Sequence, residues 1–514
     1  KAIKGVLVFL VQMACVQVVY AQTVNQKVNA LLAKMTLEEK VGQMTNLTID
    51  VISKTNAAGK MVEPHEIDEQ KLKDKMLAHH VGSFQNVANH GYDRKHWYEI
   101  ISGIQRMADM TRLKIPALYG IDAIHGVSYT MGSTLFPQEI GMAATFNKEL
   151  VNQIGSISAY ETRASYIPWN FSPVLDVAKT QLWPRIYESF GEDPYLVSTM
   201  GTAIIKGYQG NGIGDKYHVT STMKHFLGYG APLSGNDRTP AWIPDRYMRE
   251  YFLPPFIEAV NAGSRTIMIN SSEINGVPVH GRKYLLTDVL RKELKFTGVV
   301  ISDWMDVRYL HTRHHISATE KEAVALSVNS GIDMCIVPYD YTFSDYLIEN
   351  VKEGKVPMSR INEAVSRILH LKYELGLFER PVGNPEDYPK FGSDEFKKVN
   401  RQAAGEAITL LKNANNILPL KKDIKVLVTG PTANTMNSLN GGWSYTWQGD
   451  QSDKYATDKN TILEAIQNKI GKDNVLYQPG AKFDTLQNIA AALEAAQNSD
   501  VIILCLGESS YTEN

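Results

Sequence analysis

Cysteine is scarce in this sequence, with 3 residues in a chain of 514. Cys335 and Cys505 each lie within an apolar run, which favours buried free thiols over a disulfide or a metal site. The chain also lacks a cysteine cluster and a Walker phosphate loop. Neither a transition-metal centre nor a phosphate cradle is therefore indicated. We predict a protein that uses no metal ion and no cofactor.

Neither sign of charge is in excess, because 53 Lys and Arg balance 55 Asp and Glu to a net charge of −2. This balance gives no reason to expect nucleic acid or a membrane surface as a partner. Beyond the N-terminus no apolar run is long enough to span a bilayer. A length of 514 residues exceeds what one domain normally holds, so two domains are expected.

The N-terminus predicts a secretory signal at residues 1–21. Lys1 and Lys4 precede a mostly apolar segment at 5–19, and Ala21 follows as a small residue at a cleavage point. A membrane anchor is the alternative, but the segment is short and two glutamines interrupt it. We predict cleavage after Ala21, no membrane association afterwards, and export to a bacterial periplasm or the cell exterior, which suits a chain without disulfides.

Strand-like and helical segments alternate from residue 22 to residue 379. The predicted strands are 115–122, 167–176, 219–226, 266–271, 299–303 and 332–337, and helical patterns between them include 245–262, 287–294 and 320–329. Repeated alternation of this kind is typical of an α/β fold with a parallel sheet. We predict a TIM-like (β/α) barrel for 22–379, with a doubly wound open sheet as the alternative.

A polar, proline-rich segment at 380–394 has no periodicity and predicts a linker. A second α/β unit follows at 395–514. Its predicted strands are 425–429, 474–477 and 501–506, with helices at 461–469 and 485–498 between them. The sequence therefore predicts two α/β domains joined by a short linker.

Polar residues stand where several predicted barrel strands end. Asp122 closes one strand, and Asp303 with Trp304 closes another. Lys224 and His225 interrupt a third strand that is otherwise apolar. In a parallel barrel the carboxyl ends of the strands share one face, so these residues are expected to lie together.

A purely structural role is the alternative for such residues. Asp303 could cap the following helix, because aspartate is a favoured N-cap. Arg185, in a loop rich in charged and aromatic residues, could pair with Glu188 or Glu192. Convergence of several such residues at one end of a barrel nevertheless favours a binding site.

The groups gathered at this face are carboxylates, cations, an imidazole and an indole. Together they suit the hydroxyl groups and the apolar faces of a sugar. Since no metal-binding cluster is predicted, a lone carboxylate nucleophile would be the reactive group.

Five motifs carry a resemblance to a known family. They are Gly120-Ile-Asp-Ala-Ile-His-Gly126, Trp183-Pro-Arg-Ile-Tyr-Glu-Ser-Phe190, Met223-Lys-His-Phe226, Val300-Ile-Ser-Asp-Trp304 and Gly441-Gly-Trp-Ser-Tyr-Thr-Trp-Gln-Gly449. In order and spacing they resemble glycoside hydrolase family 3, in its β-glucosidase and exo-glucanase branch. The resemblance implies a TIM-like barrel joined to an α/β sandwich domain. It also implies removal of single β-linked sugars from non-reducing ends, with retention, through a covalent glycosyl-enzyme.

The resemblance assigns roles by position. Asp303 matches the nucleophile, and Glu513 matches the acid/base, with Glu508 as the second candidate. The residues that would hold the non-reducing sugar are Asp122, Arg185, Lys224 and His225. Trp304 and Trp447 match two aromatic walls that clamp the next sugar, and Trp443 lies in the same motif.

One related branch, the β-N-acetylglucosaminidases, carries an Asp/His pair in the loop after the Lys-His-Phe strand. Here that loop, 227–238, has no histidine, which argues for an acid/base from the second domain. We predict a retaining exo-β-glucosidase that acts on β-linked gluco-oligosaccharides. A β-xylosidase and a non-catalytic sugar-binding protein are the alternatives.

Family members continue beyond the position of Asn514, so the sandwich domain is expected to be incomplete in this sequence.

Overall fold

The computed structural model describes residues 24–63, 65–87 and 90–513. The predicted signal at 1–21 lies outside these residues. Within the described ranges, no helix combines the length and the apolar character that crossing a membrane requires.

A closed ring of parallel strands forms the first domain. The strands are β1 (Thr45–Thr48), β2 (Ser83–Gln85), β3 (Leu118–Ile121), β4 (Trp169–Asn170), β5 (Thr222–Phe226), β6 (Thr266–Ile269), β9 (Val299–Ile301) and β10 (Cys335–Ile336). Hydrogen-bonded ladders give the orders β10-β1-β2-β3-β4 and β5-β6-β9. Single parallel bridges, Trp169 to Thr220 and Ile301 to Met334, join these two sheets at both edges. The predicted TIM-like barrel is therefore confirmed.

Helices connect successive barrel strands, as the β-α alternation predicted. The longer ones are Arg94–Asp109, Lys148–Ala164, Pro194–Gln209, Pro254–Asn261, Tyr284–Glu293, Glu320–Ser330, Thr342–Lys352 and Met358–Glu374. Shorter helices are Leu37–Gln43, Glu69–Lys73, Glu139–Ala144, Asp245–Tyr247, Met248–Phe252 and Asp306–Thr312. A small antiparallel hairpin, β7 (Glu273–Ile274) with β8 (Val277–Pro278), follows β6.

Proline explains two departures from the predicted elements. The strand predicted at 167–176 pairs as a ladder only over Trp169–Asn170, because Pro168 and Pro173 have no N–H to donate. The helix predicted at 245–262 is divided, and its last part begins at Pro254. Proline fits the first turn of a helix but not its interior.

The second domain contains a three-stranded parallel sheet. Its centre is β11 (Val426–Thr429), flanked by β12 (Val475–Tyr477) and β13 (Val501–Leu504). Helices Ile462–Ile470 and Ile489–Gln497 lie between these strands in the chain. This arrangement confirms the predicted α/β character of the second domain.

Helix Asp394–Ala407 joins the two domains in the chain. It packs on the barrel helices Glu139–Ala144 and Lys148–Ala164, and its Phe396 and Ala403 lie in the hydrophobic core that the barrel helices share. The predicted domain limits at 379 and 395 stay predictions.

Candidate active site

A buried ion pair lies at the carboxyl ends of the barrel strands β3 and β5, which are separated by β4 in the ring. Asp122 follows β3 directly and Lys224 lies within β5. Lys224 Nζ donates to Asp122 Oδ1 at 2.7 Å, and the two side chains are 2% and 7% exposed. Removal of either partner would leave a buried charge uncompensated.

His225, the next residue of β5, lies between two carboxyl groups. Its Nδ1 is 2.7 Å from Asp176 Oδ2, and its Nε2 is 3.7 Å from Asp303 Oδ2. Burial lowers the pKa of His225 well below its usual value, so the imidazole is neutral near pH 7. Asp176 also accepts from the backbone N–H of His225. The ring is thereby fixed with one edge facing Asp303.

Asp303 stands two residues beyond β9 with its side chain almost fully buried. Its Oδ1 accepts from the backbone N–H of Trp304 at 2.5 Å. Its Oδ2 has no hydrogen-bond partner among the described residues. Burial raises the pKa of Asp303, but Arg238, Arg185 and the Trp304 N–H outweigh this effect and leave it below its usual value. The result is an ionised carboxylate with one oxygen available.

Two further residues, His280 and Asp306, influence Asp303. The backbone N–H of Asp303 donates to His280 Nε2 at 3.2 Å. Asp306, the first residue of the following helix, accepts a hydrogen bond from Ser271 Oγ. Burial and the Asp303 charge raise the pKa of Asp306 to about 7. Because two adjacent carboxyl groups resist double ionisation, Asp303 carries the charge and Asp306 holds the proton below this pH.

Arg185 pairs with Glu188, one of the two partners that the sequence offered, and it also lies near Glu513, which the sequence did not suggest as a partner. Its Nε donates to Glu188 Oε1 at 2.5 Å, which confirms the structural pairing. Its Nη1 lies 3.4 Å from Glu513 Oε1. The guanidinium also lies over the ring of Tyr229, 5.5 Å from its centroid. Arg185 therefore connects the barrel to a carboxyl group of the second domain.

Glu513 reaches the barrel from the segment that follows β13. Arg238 Nη2 donates to Glu513 Oε2 at 2.9 Å. The preceding residue, Thr512, donates from its backbone N–H to Gln448 Oε1 at 3.1 Å. Glu513 is 9% exposed, whereas Glu508 is exposed to solvent. Of the two predicted carboxyl groups, Glu513 is the one that lies against the barrel residues.

Three tryptophans lie at or near this site, in different environments. Trp443 is buried, with Lys224 Nζ 5.6 Å from its ring centroid. Trp304 is half-buried and packs perpendicular to Tyr339 at 5.7 Å. Trp447 is 38% exposed. Within the described residues Trp304 and Trp447 make no ring contact with each other, so the paired aromatic walls stay a prediction.

The loop that carries Trp443 is fastened to the barrel by polar contacts. The Trp443 carbonyl accepts a hydrogen bond from Ser128 Oγ and lies 3.3 Å from His125 Nε2. Gln138 Nε2 donates to the Gly442 carbonyl at 2.9 Å. His125, which follows a strand end in the sequence, therefore serves this contact between the domains.

Sequence reasoning missed several residues of this site. Asp176 ends the predicted strand 167–176 in the same way that Asp122 ends its own strand, and that pattern could have identified it. Arg238 lies in the loop 227–238, where only the absence of histidine was considered. His280 and Asp306 carried no signal, because their contacts depend on how separate segments of the chain meet.

Comparison with known proteins identifies the family. The model of the glycosyl hydrolase family 3 N terminal domain matches residues 36–371, and that of the C-terminal domain matches residues 408–514. The chain is 42% identical to the lysosomal beta glucosidase of Dictyostelium discoideum over 95% of this chain and 61% of that protein. It is 31% identical to the periplasmic beta-glucosidase of Salmonella typhimurium, over 94% of this chain and 62% of that protein.

A beta-xylosidase of Formosa agariphila is 35% identical over 79% of this chain and 60% of that protein. The chain thus spans about three fifths of the length of these curated relatives. The crystal structure of the exo-1,3/1,4-beta-glucanase from a Pseudoalteromonas species matches with a TM-score of 0.81 and 31% identity, covering 96% of this chain and 59% of that one. On the domain matches and these relatives, the chain belongs to glycosyl hydrolase family 3.

Proposed function

We propose that this protein is a retaining, exo-acting β-glucosidase that releases glucose from the non-reducing end of β-linked gluco-oligosaccharides. The observation that carries the proposal is the state of Asp303. Its carboxylate is buried and ionised, and one oxygen has no partner among the described residues. A retaining glycosidase needs such a group as its nucleophile.

In the first step, Asp303 Oδ2 attacks the anomeric carbon of the sugar and the glycosidic C–O bond breaks. Glu513 gives its proton to the leaving oxygen. In the second step, a water molecule attacks the same carbon, Glu513 takes up the proton of that water, and the bond to Asp303 breaks. Both carboxyl groups return to their initial states, and the configuration is retained.

Four buried side chains would hold the sugar at the reacting position: Asp122, Arg185, Lys224 and His225. Each of these side chains is at most 7% exposed, so their hydrogen bonds to hydroxyl groups would form away from solvent, where they are strong. Side chains buried to this degree would close one end of the sugar-binding site, and such a site would accommodate the end of a chain better than its middle. Their burial therefore supports exo action.

Trp304, Trp443 and Trp447 would supply apolar surface for the sugar that follows. The half-exposed rings of Trp304 and Trp447 suit a site that is open to an outgoing product. Tryptophan offers a large face to the C–H groups of a pyranose ring and an N–H for a hydroxyl.

A β-xylosidase is the second candidate, and the Formosa agariphila relative favours it. Xylose lacks the hydroxymethyl group of glucose, so the two activities differ in the space beside the reacting sugar. Rates on 4-nitrophenyl β-glucoside and β-xyloside, compared by kcat/KM, decide between them. A non-catalytic sugar-binding protein is disfavoured, because Asp303 and Glu513 both lie against the cationic groups of the site.

We also propose export with cleavage after Ala21, and the domain limits 22–379, 380–394 and 395–514. The periplasmic relative from Salmonella typhimurium supports a bacterial periplasmic or extracellular location. N-terminal sequencing of the protein recovered from a periplasmic or culture fraction tests the cleavage site.

The function is tested by trapping the intact protein with 2-fluoro-2-deoxy-β-glucosyl fluoride. We expect one covalent label, found by peptide mass spectrometry on Asp303, and loss of hydrolysis in Asp303→Asn. A label on another carboxyl group would overturn the assignment of the nucleophile. Full activity of Asp303→Asn would overturn the mechanism.

A further inference from the structure

Arg238 is held in an unusual backbone conformation at the mouth of the barrel. It lies in the loop that follows β5, and its φ of 57° is in the left-handed region. This region is uncommon for residues other than glycine, so surrounding contacts must hold the chain in this conformation. The side chain is 18% exposed.

The guanidinium of Arg238 contacts both domains. Its Nη1 donates to Ser271 Oγ at 2.6 Å, and its Nε lies 3.4 Å from Asp237 Oδ2. Both partners belong to the barrel. Its Nη2 donates to Glu513 Oε2 at 2.9 Å, across 275 residues of sequence. The Nη1 and Nε atoms of the guanidinium thus contact the barrel, and its Nη2 atom contacts the second domain.

Arg185 is the other cation near Glu513, but its contact is different. Its Nη1 lies 3.4 Å away and makes no hydrogen bond among the described residues. Among the described residues, Arg238 alone donates a hydrogen bond to the Glu513 carboxyl. The position of this carboxyl therefore depends on Arg238.

We propose that Arg238 is a positioning residue for the reaction, which holds the Glu513 carboxyl of the second domain against the barrel site. This inference rests on the proposed function, in which Glu513 donates and later accepts the proton. When Glu513 gives up its proton it becomes an anion, and the bond from Arg238 stabilises that anion. Arg238 also donates to Ser271, and Ser271 donates to Asp306. A chain of hydrogen bonds therefore connects Glu513, the proton donor, with Asp306, the neighbour of Asp303.

The test compares Arg238→Met and Arg238→Lys in the intact protein on two β-glucosides. The 2,4-dinitrophenyl leaving group needs no proton, whereas cellobiose does. We expect Arg238→Met to lose about 10- to 100-fold in kcat on cellobiose, as for a lost hydrogen bond to a charged group. The glycosylation rate on the dinitrophenyl glucoside should change less than about threefold, because Arg185, Lys224 and the Trp304 N–H still favour the ionised form of Asp303. Arg238→Lys keeps the charge but not the fork, so an intermediate loss is expected.

Arg246→Met is the matched control, since its side chain is 87% exposed and pairs with Glu250 on the surface. It should leave both rates unchanged. Thermal melting shows whether each variant is folded, and Arg238→Lys provides a milder change if Arg238→Met is unstable. Equal losses on both substrates in a folded variant, or no loss on either, would overturn the positioning role.

Glu513→Ala, measured on the same two substrates, separates this inference from the proposed function. If Glu513→Ala shows the selective loss on cellobiose and the Arg238 variants do not, only the inference about Arg238 fails. If Glu513→Ala itself shows no such selectivity, the acid/base assignment fails first.

Discussion

Lys224 and Asp122 form an ion pair of 2.7 Å in which both partners are almost completely buried. The pair crosses from β5 to the end of β3, on strands separated by β4 in the ring. Because neither charge has much contact with solvent, each depends on the other, and in the proposed function both would hold the reacting sugar.

We predict that Lys224→Ala loses at least roughly 2 kcal/mol of transition-state stabilisation, or about 30-fold in kcat/KM, as for a charged hydrogen bond left unmade. Steady-state kinetics on an aryl β-glucoside measures this loss. Lys114→Ala, which removes an exposed lysine paired with Asp109, is the control. Unchanged kcat/KM in Lys224→Ala would show that the pair is purely structural.

Asp306 should make stability fall as the pH rises. Its pKa is raised to about 7 in the folded protein, above the ordinary value for aspartate in an unfolded chain. Its stabilising contribution is therefore complete at pH below about 4 and is lost progressively up to about pH 7. Asp306→Asn stays neutral and should lack this dependence.

Urea denaturation of both proteins between pH 4 and pH 7 measures the effect. The free energy of unfolding of Asp306→Asn relative to the parent should increase with pH, by at most about 1.4 kcal/mol per unit. A difference that does not change with pH would contradict the assignment of a neutral Asp306.

Lys372 should make the stability of the protein rise with pH in the alkaline range. It is fully buried and donates to Gln43 Oε1 at 2.5 Å and to the Gly82 carbonyl at 3.0 Å. Burial lowers its pKa to about 7, whereas an unfolded lysine titrates near 10.4. The unfolded chain binds more protons between these values, so stability should rise with pH from about 7 to about 10.

Lys372→Met removes the titrating group and keeps the buried stem. Its unfolding free energy, followed by denaturant titration from pH 7 to pH 10, should lack the rising component of the parent protein. Lys292→Met, at an exposed surface pair with Asp288, serves as the control and should keep the parent slope. An identical slope in Lys372→Met would mean that Lys372 is charged in the folded state.

The sequence predicted the barrel through its apolar strands and missed the polar ones. The strand Thr45–Thr48 is short, and three of its four residues are polar. The Nδ2 of its Asn46 finds a partner inside the ring, where it donates to Ser83 Oγ at 2.8 Å. Ser83–Gln85 has the same character. Such strands lack the apolar alternation by which a strand is recognised, and their pairing is decided by the closure of the barrel.

The site could be predicted where its residues belong to the strands themselves. Asp122, Lys224 and Asp303 stand at or within strand ends, so local pattern was sufficient. Arg238 and His280 come from loops, and their partners lie far away in sequence. Only the folded arrangement of the loops, the hairpin and the second domain brings these groups together, and no local pattern records it.

The last prediction concerns which carboxyl group of the second domain transfers the proton. Glu513 is buried against Arg185 and Arg238, whereas Glu508 is exposed. Glu513→Ala should therefore slow hydrolysis of substrates with poor leaving groups and keep most of its glycosylation rate on those with good ones. Glu508→Ala, as the matched variant, should behave like the parent protein on both.

Azide provides the decisive measurement, because it attacks the glycosyl-enzyme without needing a general base. In Glu513→Ala the second step lacks the group that activates water, so the glycosyl-enzyme accumulates and added azide should restore turnover. The product should be β-glucosyl azide, since attack occurs on the face opposite Asp303 and the overall configuration is retained. Azide should not accelerate Glu508→Ala, in which Glu513 still activates water. If azide instead rescues Glu508→Ala and leaves Glu513→Ala unchanged, the two glutamates have been assigned in the wrong order, and the contacts of Glu513 with Arg185 and Arg238 serve only to join the domains.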